Sequence, residues 1–502
     1  MPNAVPAGAG EGRRAMLAVA AGAAALAVAA TLPQAIGLPF WQDEVASARV
    51  LLEPTPAGVV DHVSRTESTP PGWYLLAWLG REAGISVDGL RFLSVVLAAG
   101  TAGLTVVYAR RFLPLSLAGL AGMLTALAWQ IANHGSELRT YALLAFLTVV
   151  FALLLEHATE RPTPGRLVAL GAGAAAGAFT HYFFVLAAGA ALLWLLLERD
   201  LRPVALRVGA ATVVGTATLL VWLPGLSDQV SAERFGWIDA FDPLKLAYLP
   251  SALFWDPGTM YAEIGSDPGT WEAIGRLVIL ALVLGGCAVL VRLDRSARLC
   301  ALLVLVPVVV SGIAWLAGLR IITGRNLIGV TPFAAAALAA VLLPLPRRAA
   351  VAGAAAGLAL AVFAYVQSPV DERVPFDDVA DALVATGWQP GERKSWSEPR
   401  TRIGSLHDFR SPLEWYLPGD VTLATAVPRE PCDEVWVVTD VPEGRGLLAL
   451  ARPTDRAEAG TVEVARVPWD GRWEDVAESR GGRYLDSAGG AACLLPTENR
   501  VT

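Results

Sequence analysis

Long apolar runs constrain this chain more than any other feature. A bilayer's hydrocarbon core is about 30 Å thick, so a helix needs roughly 20 apolar residues to cross it. Runs near that length recur at 15–32, 88–109, 114–132, 138–156, 166–180, 182–197, 204–223, 272–291, 299–317, 326–345 and 349–367. Backbone groups inside a bilayer must be satisfied within the segment, so these Ala-, Leu- and Val-rich runs are expected to be helices. The pair 166–180 and 182–197 is short and reads as a tight hairpin or as two tilted helices. Only 17% of the 502 residues are charged, and mean hydropathy is +0.50, which excludes one large soluble domain. The net charge of −7 argues against a nucleic-acid partner.

Arginine placement predicts orientation, because basic residues concentrate in cytoplasmic loops. Clusters stand at Arg13/Arg14, Arg110/Arg111, Arg161/Arg166, Arg199/Arg202/Arg207, Arg292/Arg295/Arg298 and Arg347/Arg348. Eleven spans with a cytoplasmic N-terminus, residues 1–14, put every cluster inside. The transmembrane domain is then 15–369. The connections 33–87, 133–137, around 181, 224–271 and 318–325, and the tail after 368, fall outside. Residues 70–79 (PPGWYLLAWL) are too short to span and would break this pattern. They are expected to form an interfacial helix with Trp73, Tyr74 and Trp78 at headgroup level. The first 32 residues also resemble a signal peptide cleaved near Ala29–Ala30, but cleavage would cost the next loop its anchor.

Composition changes sharply in the tail. Residues 370–502 regain charge and proline, Glu434–Thr439 and Thr461–Val467 alternate as strands do, and 376–386 has a helical pattern. A soluble extracytoplasmic α+β domain is expected there. Its cysteines, Cys432 and Cys493, are candidates for a disulfide in an oxidising compartment. Cys287 and Cys300 lie in or beside spans and read as apolar filler.

The outside connections carry an unusual polar set. The first holds Asp43 and Glu44, then His62, Arg65 and Glu67 before Thr69-Pro70-Pro71. The others contribute Asn133-His134-Gly135-Ser136-Glu137-Leu138-Arg139-Thr140-Tyr141, then Thr180-His181-Tyr182-Phe183, then Thr323-Gly324-Arg325-Asn326. Taken singly, each has an ordinary explanation. Asp43 could cap a helix over 44–52, Glu137 and Arg139 could snorkel, Arg325 could anchor at the interface, His181 could close a hairpin, and His62 could sit in a solvated loop. Together, ionisable groups at span ends are costly unless they pair or face a wet cavity, and their joint placement on one side points to one cavity.

In this order the segments resemble bacterial relatives of the protein O-mannosyltransferases and of the lipid A aminoarabinose transferase. These are family 39-like glycosyltransferases of the C-type membrane fold. The resemblance covers roughly 15–345, and the tail carries no motif of the family. Ser136-Glu137-Leu138-Arg139-Thr140-Tyr141 follows the family's Ser-Glu-x-Arg-x-Tyr, and Gly324-Arg325-Asn326-Leu327 its Gly-Arg-Tyr-Leu with Asn326 for Tyr. An Arg-x-x-Ser pattern, Arg91 to Ser94, opens the second span. Thr69-Pro70-Pro71-Gly72-Trp73-Tyr74 stands for His-Pro-Pro-Leu-Tyr-Tyr, with Thr69 and Gly72 replacing His and Leu, so no role of that His carries over.

The resemblance implies a polyprenyl-phosphate sugar donor, a glycan, lipid or protein acceptor, direct inverting transfer, and a bacterial cytoplasmic-membrane location. It makes Asp43 the general base, with Glu44 beside it. Glu44, Glu137, Arg139, Tyr141, His181, Tyr182 and Arg325 are the candidate substrate-binding residues. The residue types suit the chemistry: a carboxylate takes the hydroxyl proton, and guanidinium groups stabilise a departing phosphate. The phosphosugar already carries the driving energy, so no nucleotide is required and no cofactor is certain. Asp43, Glu44 and Glu137 could offer oxygens to a divalent metal, but no metal-ligand spacing or P-loop is present and a metal is not favoured. A transporter or flippase of a lipid-linked glycan is the main alternative. It should show mid-span charge and a repeat between halves, and neither is evident. An inactive transferase-like scaffold is the other. Under the predicted orientation, protease added to the outside of intact cells degrades the tail after residue 370. Degradation only from the cytoplasmic side reverses the orientation.

Overall fold

The computed structural model describes residues 8–231, 243–255, 270–319, 323–367, 376–387, 394–397, 413, 415–417, 421–423, 434–439, 455–459, 462–468 and 491–496. The chain divides into two compact units. The first comprises 1–37 and 47–370, and the second 38–46 and 371–502. The break after Val370 falls one residue from the composition change. The assignment of 38–46 to the second unit has no signal in composition.

The first unit is helical. Its elements are α1 (Gly8–Gly37), α2 (Gln42–Leu51, shared with the second unit), α3 (Pro56–Thr66), α4 (Gly72–Glu82), α5 (Arg91–Ala109), α6 (Leu115–Leu127), α7 (Trp129–His134), α8 (Tyr141–Glu160) and α9 (Pro164–Thr180). They continue with α10 (Phe184–Leu197), α11 (Arg202–Ala217), α12 (Leu223–Ser231), α13 (Pro243–Ala252), α14 (Thr270–Leu290), α15 (Arg295–Leu316), α16 (Thr331–Ala340) and α17 (Arg347–Gln367). Seven described helical stretches are long and apolar enough to cross a membrane: Gly12–Gly37, Asp88–Ala109, Tyr141–Glu160, Arg199–Val230, Thr270–Leu290, Arg295–Leu316 and Arg347–Gln367. Shorter helices, α6, α9, α10 and the run Arg325–Ala340, occupy the other four expected positions.

Local chemistry sets many of these boundaries. Thr55 caps α3 by accepting from the Gly58 amide at 3.1 Å, with Pro56 next, where its missing N–H costs nothing. Asp294 caps α15 by accepting from the Ala297 amide at 3.0 Å. Span threonines satisfy themselves locally: Thr101, Thr125 and Thr148 donate to the carbonyls of Leu97, Ala121 and Leu144 at 2.8, 2.8 and 2.7 Å. The expected span 114–132 is shorter than read. Ala128 is extended, so α6 stops at Leu127, and the amides of Trp129 and Gln130 bond instead to the carbonyls of Phe254 and Leu253. Likewise 138–156 begins only at Tyr141, because 135–140 forms a turn.

Two further expectations are corrected. Residues 70–79 do form a short helix, α4, but Trp73 and Tyr74 are fully buried within the protein rather than placed at headgroups. Only Trp78 is partly exposed, and its Nε1–H donates to the Glu53 carbonyl at 2.8 Å. His62 lies on α3, not in a solvated loop, with Nδ1 2.8 Å from Glu53 Oε1.

The helix ends sort into two groups. One end of the bundle gathers basic residues: Arg111 pairs with Glu156 and Glu160, and Arg298 with Glu198. The other end collects the turn after α7, the α9–α10 connection and the helical turn Arg325–Val330.

The second unit carries α18 (Phe376–Ala385) and six strands: β1 (Lys394–Ser397), β2 (Val421–Leu423), β3 (Glu434–Thr439), β4 (Asp455–Ala459), β5 (Val462–Pro468) and β6 (Ala491–Pro496). They form one sheet in the order β2-β6-β1-β3-β5-β4, parallel only between β1 and β3. The buried face of α18, including Phe376, Val379 and Leu383, belongs to this unit's core. Both strands read from alternation are present. Cys432 lies outside the described residues, so the proposed bridge to Cys493 does too. Cys287 and Cys300 are free and buried.

Close helix contacts depend on small residues. A Cβ on Gly286 of α14 would stand 1.9 Å from the Ala337 carbonyl oxygen of α16. Gly286→Leu therefore separates these helices, and is expected to lower the detergent-solubilised protein's melting temperature by several degrees. An unchanged melting temperature refutes that contact.

Candidate active site

The site is built around the turn 135–140, which leads into α8. Its small polar residues hold the backbone. Ser94 Oγ on α5 donates to the Glu137 carbonyl at 2.6 Å, and Thr140 Oγ1 donates to the Thr180 carbonyl at 2.9 Å. Ser136 Oγ donates to the Asn133 carbonyl at 2.6 Å and lies 3.2 Å from Gln34 Oε1 of α1. With the backbone tied to three helices, the Glu137 and Arg139 side chains are held inward and buried.

Arg139 does not snorkel. Its Nη1 lies 2.9 Å from Glu67 Oε2, 2.8 Å from Ser47 Oγ and 3.4 Å from Tyr74 Oη. Tyr74 donates to the same Glu67 oxygen at 2.6 Å. Burial first, then the Glu67 charge against the opposing pull of Arg139, keeps the Tyr74 phenol well above its usual range, so it remains a donor. Removing one member of such a buried ion pair typically costs about 3–5 kcal/mol. Glu137 has its own partners: Asn133 Nδ2 at 3.2 Å and His134 Nδ1 at 2.6 Å. It does not snorkel either.

Tyr141 is the hub. His134 tilts against its ring at 4.7 Å and His181 at 5.8 Å, while the guanidinium carbons of Arg139 and Arg325 stand 6.0 and 5.6 Å from its centroid. These last distances fall in the cation–π range. Four expected site residues, Arg139, Tyr141, His181 and Arg325, are thereby brought together, with Glu137 attached through His134. Beside Arg325, Asn326 borders an apolar crevice lined by Leu144, Phe183, Ala187, Leu303 and Val330.

His181 is buried, at 3% exposed, in the three-residue connection between α9 and α10. Its Nδ1 accepts from the Phe183 amide at 3.2 Å. The proton of the neutral ring therefore sits on Nε2. That nitrogen is buried and has no hydrogen-bond partner among the described residues. Burial first, then the charges of Arg325 and Arg139, lowers its pKa to about 3.

Tyr182 plays a different part from the one expected. Its hydroxyl donates to Gln229 Oε1 at 2.6 Å and accepts from Trp222 Nε1 at 2.8 Å. Gln229 Nε2 in turn donates to the carbonyls of Val63 and Thr69 at 3.1 and 3.0 Å. Tyr182 thus braces the segment that carries Glu67. The departure at Gly72 also has a physical cause. A Cβ there would stand 2.5 Å from the Phe179 carbonyl oxygen, so the first turn of α4 rests on the last turn of α9.

Asp43 and Glu44 belong to the second unit. The amides of Glu44 and Val45 bond to the Trp41 carbonyl at 2.9 and 3.0 Å, so α2 starts at Gln42. Asp43 is inside the first turn and is not the cap. Both carboxylates there complement the helix dipole. Glu44 is buried and Asp43 is partly exposed. Among the described residues no group of three His, Cys, Asp or Glu side chains is arranged to hold a metal.

Glu67, Ser47, Tyr74, His134 and Gln229 join the site without having been singled out as site residues. Glu67 could have been suspected, since a carboxylate two residues before Thr69-Pro70-Pro71 needs a partner once the following helix is buried. Gln229 gave no signal.

No protein-family model and no curated protein matches the chain. Solved structures do. ArnT from Cupriavidus metallidurans in the apo state aligns over 88% of this chain and 96% of its own, with 13% identity and a TM-score of 0.52. The same protein bound to undecaprenyl phosphate aligns over 89% and 97%, with 14% identity and a TM-score of 0.53. At such identity the likeness is one of fold. The chain is a polytopic helical membrane protein of the C-type glycosyltransferase fold.

A lowered His181 pKa has a definite consequence for stability. Between about pH 3 and the unfolded value near 6.5, the unfolded chain binds a proton that the native chain refuses, so unfolded protein is favoured as pH falls. Stability lost to this residue should appear only below about pH 6.5. Replacing His181 with Gln should remove that part of the acid sensitivity, as followed by thermal unfolding between pH 4 and 8. An identical pH dependence in the variant contradicts it.

Proposed function

We propose that the protein is a glycosyltransferase of the bacterial cytoplasmic membrane. It moves a sugar from a polyprenyl-phosphate donor to a hydroxyl acceptor on the outer face, with inversion. One observation carries this reading: two guanidinium groups, Arg139 and Arg325, converge on the buried ring of Tyr141 at one end of a bundle with this fold. Cations held at the end of a membrane bundle suit a phosphate whose hydrocarbon tail lies in the bilayer. The undecaprenyl phosphate bound by ArnT supports the same donor class.

In the proposed reaction the acceptor hydroxyl oxygen attacks the anomeric carbon from the face opposite the phosphate. The bond from that carbon to the phosphate oxygen breaks, and its electron pair stays on the phosphate. Asp43 takes the hydroxyl proton, a role that rests on the family resemblance. Arg325 stabilises the charge that grows on the departing phosphate, as fixed donors do for a transition-state oxyanion. Arg139 contributes its field and, through Glu67 and Ser47, the shape of the site. The sugar is mannose- or arabinose-like, and the acceptor is a glycan, lipid or protein hydroxyl.

Membranes carrying Asp43→Asn should transfer sugar from a polyprenyl-phosphate donor about 10²–10⁴-fold more slowly than wild type. Full activity in this variant removes Asp43 as the base. Arg325→Ala should raise the donor KM and lower kcat while leaving acceptor KM nearly unchanged. Unaltered donor kinetics remove the phosphate role of Arg325.

A further inference from the structure

The buried Nε2 of His181 is a polar atom with a fixed role and no partner. Its ring is locked in one tautomer, because Nδ1 is engaged by the Phe183 amide. The Nε2–H is therefore a donor, and it is buried without an acceptor among the described residues. An orphaned buried donor destabilises the protein unless a ligand satisfies it. The surroundings say which ligand. The His181 ring and the guanidinium groups of Arg139 and Arg325 all lie within about 6 Å of the Tyr141 ring centroid, and Phe183 packs edge-on at 5.7 Å. Among the described residues none accepts from it, so an acceptor brought by a ligand would satisfy it. With Arg139 already balanced by Glu67, the Arg325 charge is what favours an oxyanion over a neutral hydroxyl here.

We infer that His181 donates its Nε2–H to a phosphate oxygen of the polyprenyl-phosphate ligand, as a neutral hydrogen-bond donor next to Arg325. This assignment rests on the donor class proposed above and adds a recognition residue to it. The neutral form has a physical advantage. A third cation would deepen the attraction for the phosphate after the sugar has left and would slow its release. A neutral donor fixes the direction of one oxygen without adding charge. Protonation is opposed by burial and by the arginines themselves, so the same groups that attract the phosphate keep His181 uncharged.

The test uses the full-length protein in lipid nanodiscs, with undecaprenyl phosphate as the probe and undecaprenol, which lacks the phosphate, as its control. His181→Ala should weaken undecaprenyl phosphate binding roughly 10- to 100-fold, the usual effect of losing a hydrogen bond to a charged group. His181→Gln, whose amide can donate from a similar position, should recover most of that loss. Undecaprenol binding should be the same in all three proteins. Histidine-labelled wild type provides a readout independent of folding in the variants. Its five histidines include one whose Nε2–H resonance should move downfield when undecaprenyl phosphate is added and stay in place with undecaprenol or inorganic phosphate. If wild type binds undecaprenyl phosphate while His181→Ala binds it equally well and no histidine resonance moves, the His181 role is overturned and the donor reading survives. If wild type shows no phosphate-dependent binding at all, the donor reading itself falls, and this inference with it.

Discussion

The buried ion pair between Arg139 and Glu67 is the interaction on which the site depends. It joins the turn before α8 to the segment between α3 and α4, and Ser47 of α2 and Tyr74 of α4 each add a hydrogen bond to it. Neither charge would be stable at that depth alone. Because Glu67 balances Arg139, the guanidinium can stay buried beside Tyr141. Because Arg139 and Tyr74 hold Glu67, the short connection it sits on has a defined path over the helix ends. The brace from Gln229 and Tyr182 fixes that connection from its other side. The chemistry proposed for Arg325 and His181 takes place on a surface that this pair keeps in shape.

The bilayer explains why these groups collect where they do. The span threonines Thr101, Thr125 and Thr148 bond within their own helices, which costs little in hydrocarbon. Ionisable residues can be kept only at helix ends, where turns bring backbone donors and acceptors within reach. At one end this yields arginine pairs with Glu156, Glu160 and Glu198. At the other it yields a cluster of mixed charge around an aromatic hub. A phosphate on a long hydrocarbon tail is a ligand that such a site can meet without leaving the membrane.

Much of the architecture was legible in the residues. Apolar run length located the long helices, and alternation located β3 and β5. The stretch Ser136–Tyr141 stood out as polar residues at a span's end, and it is the core of the site. Other features were misjudged for identifiable reasons. Trp73 and Tyr74 look like interfacial aromatics because amphipathic spacing says which residues share a face, not what that face meets. The break at Ala128 arises from amides that bond to 253–254, a contact distant in sequence. The Tyr182 hydroxyl turns toward Gln229, a partner 47 residues away that no local pattern names.

The sequence alone determined that this is a multi-span helical chain, that its polar groups gather at span ends, and that arginines segregate from the mixed-charge segments. Those properties follow from run length, composition and solvation, all of which are local. Tertiary structure alone decided that Glu67 meets Arg139 across 72 residues, that Tyr74 turns inward, and that the Phe183 amide fixes the His181 tautomer with Nε2 buried. Pairing and side-chain direction depend on which helix ends become neighbours, and no periodicity within a single segment encodes that.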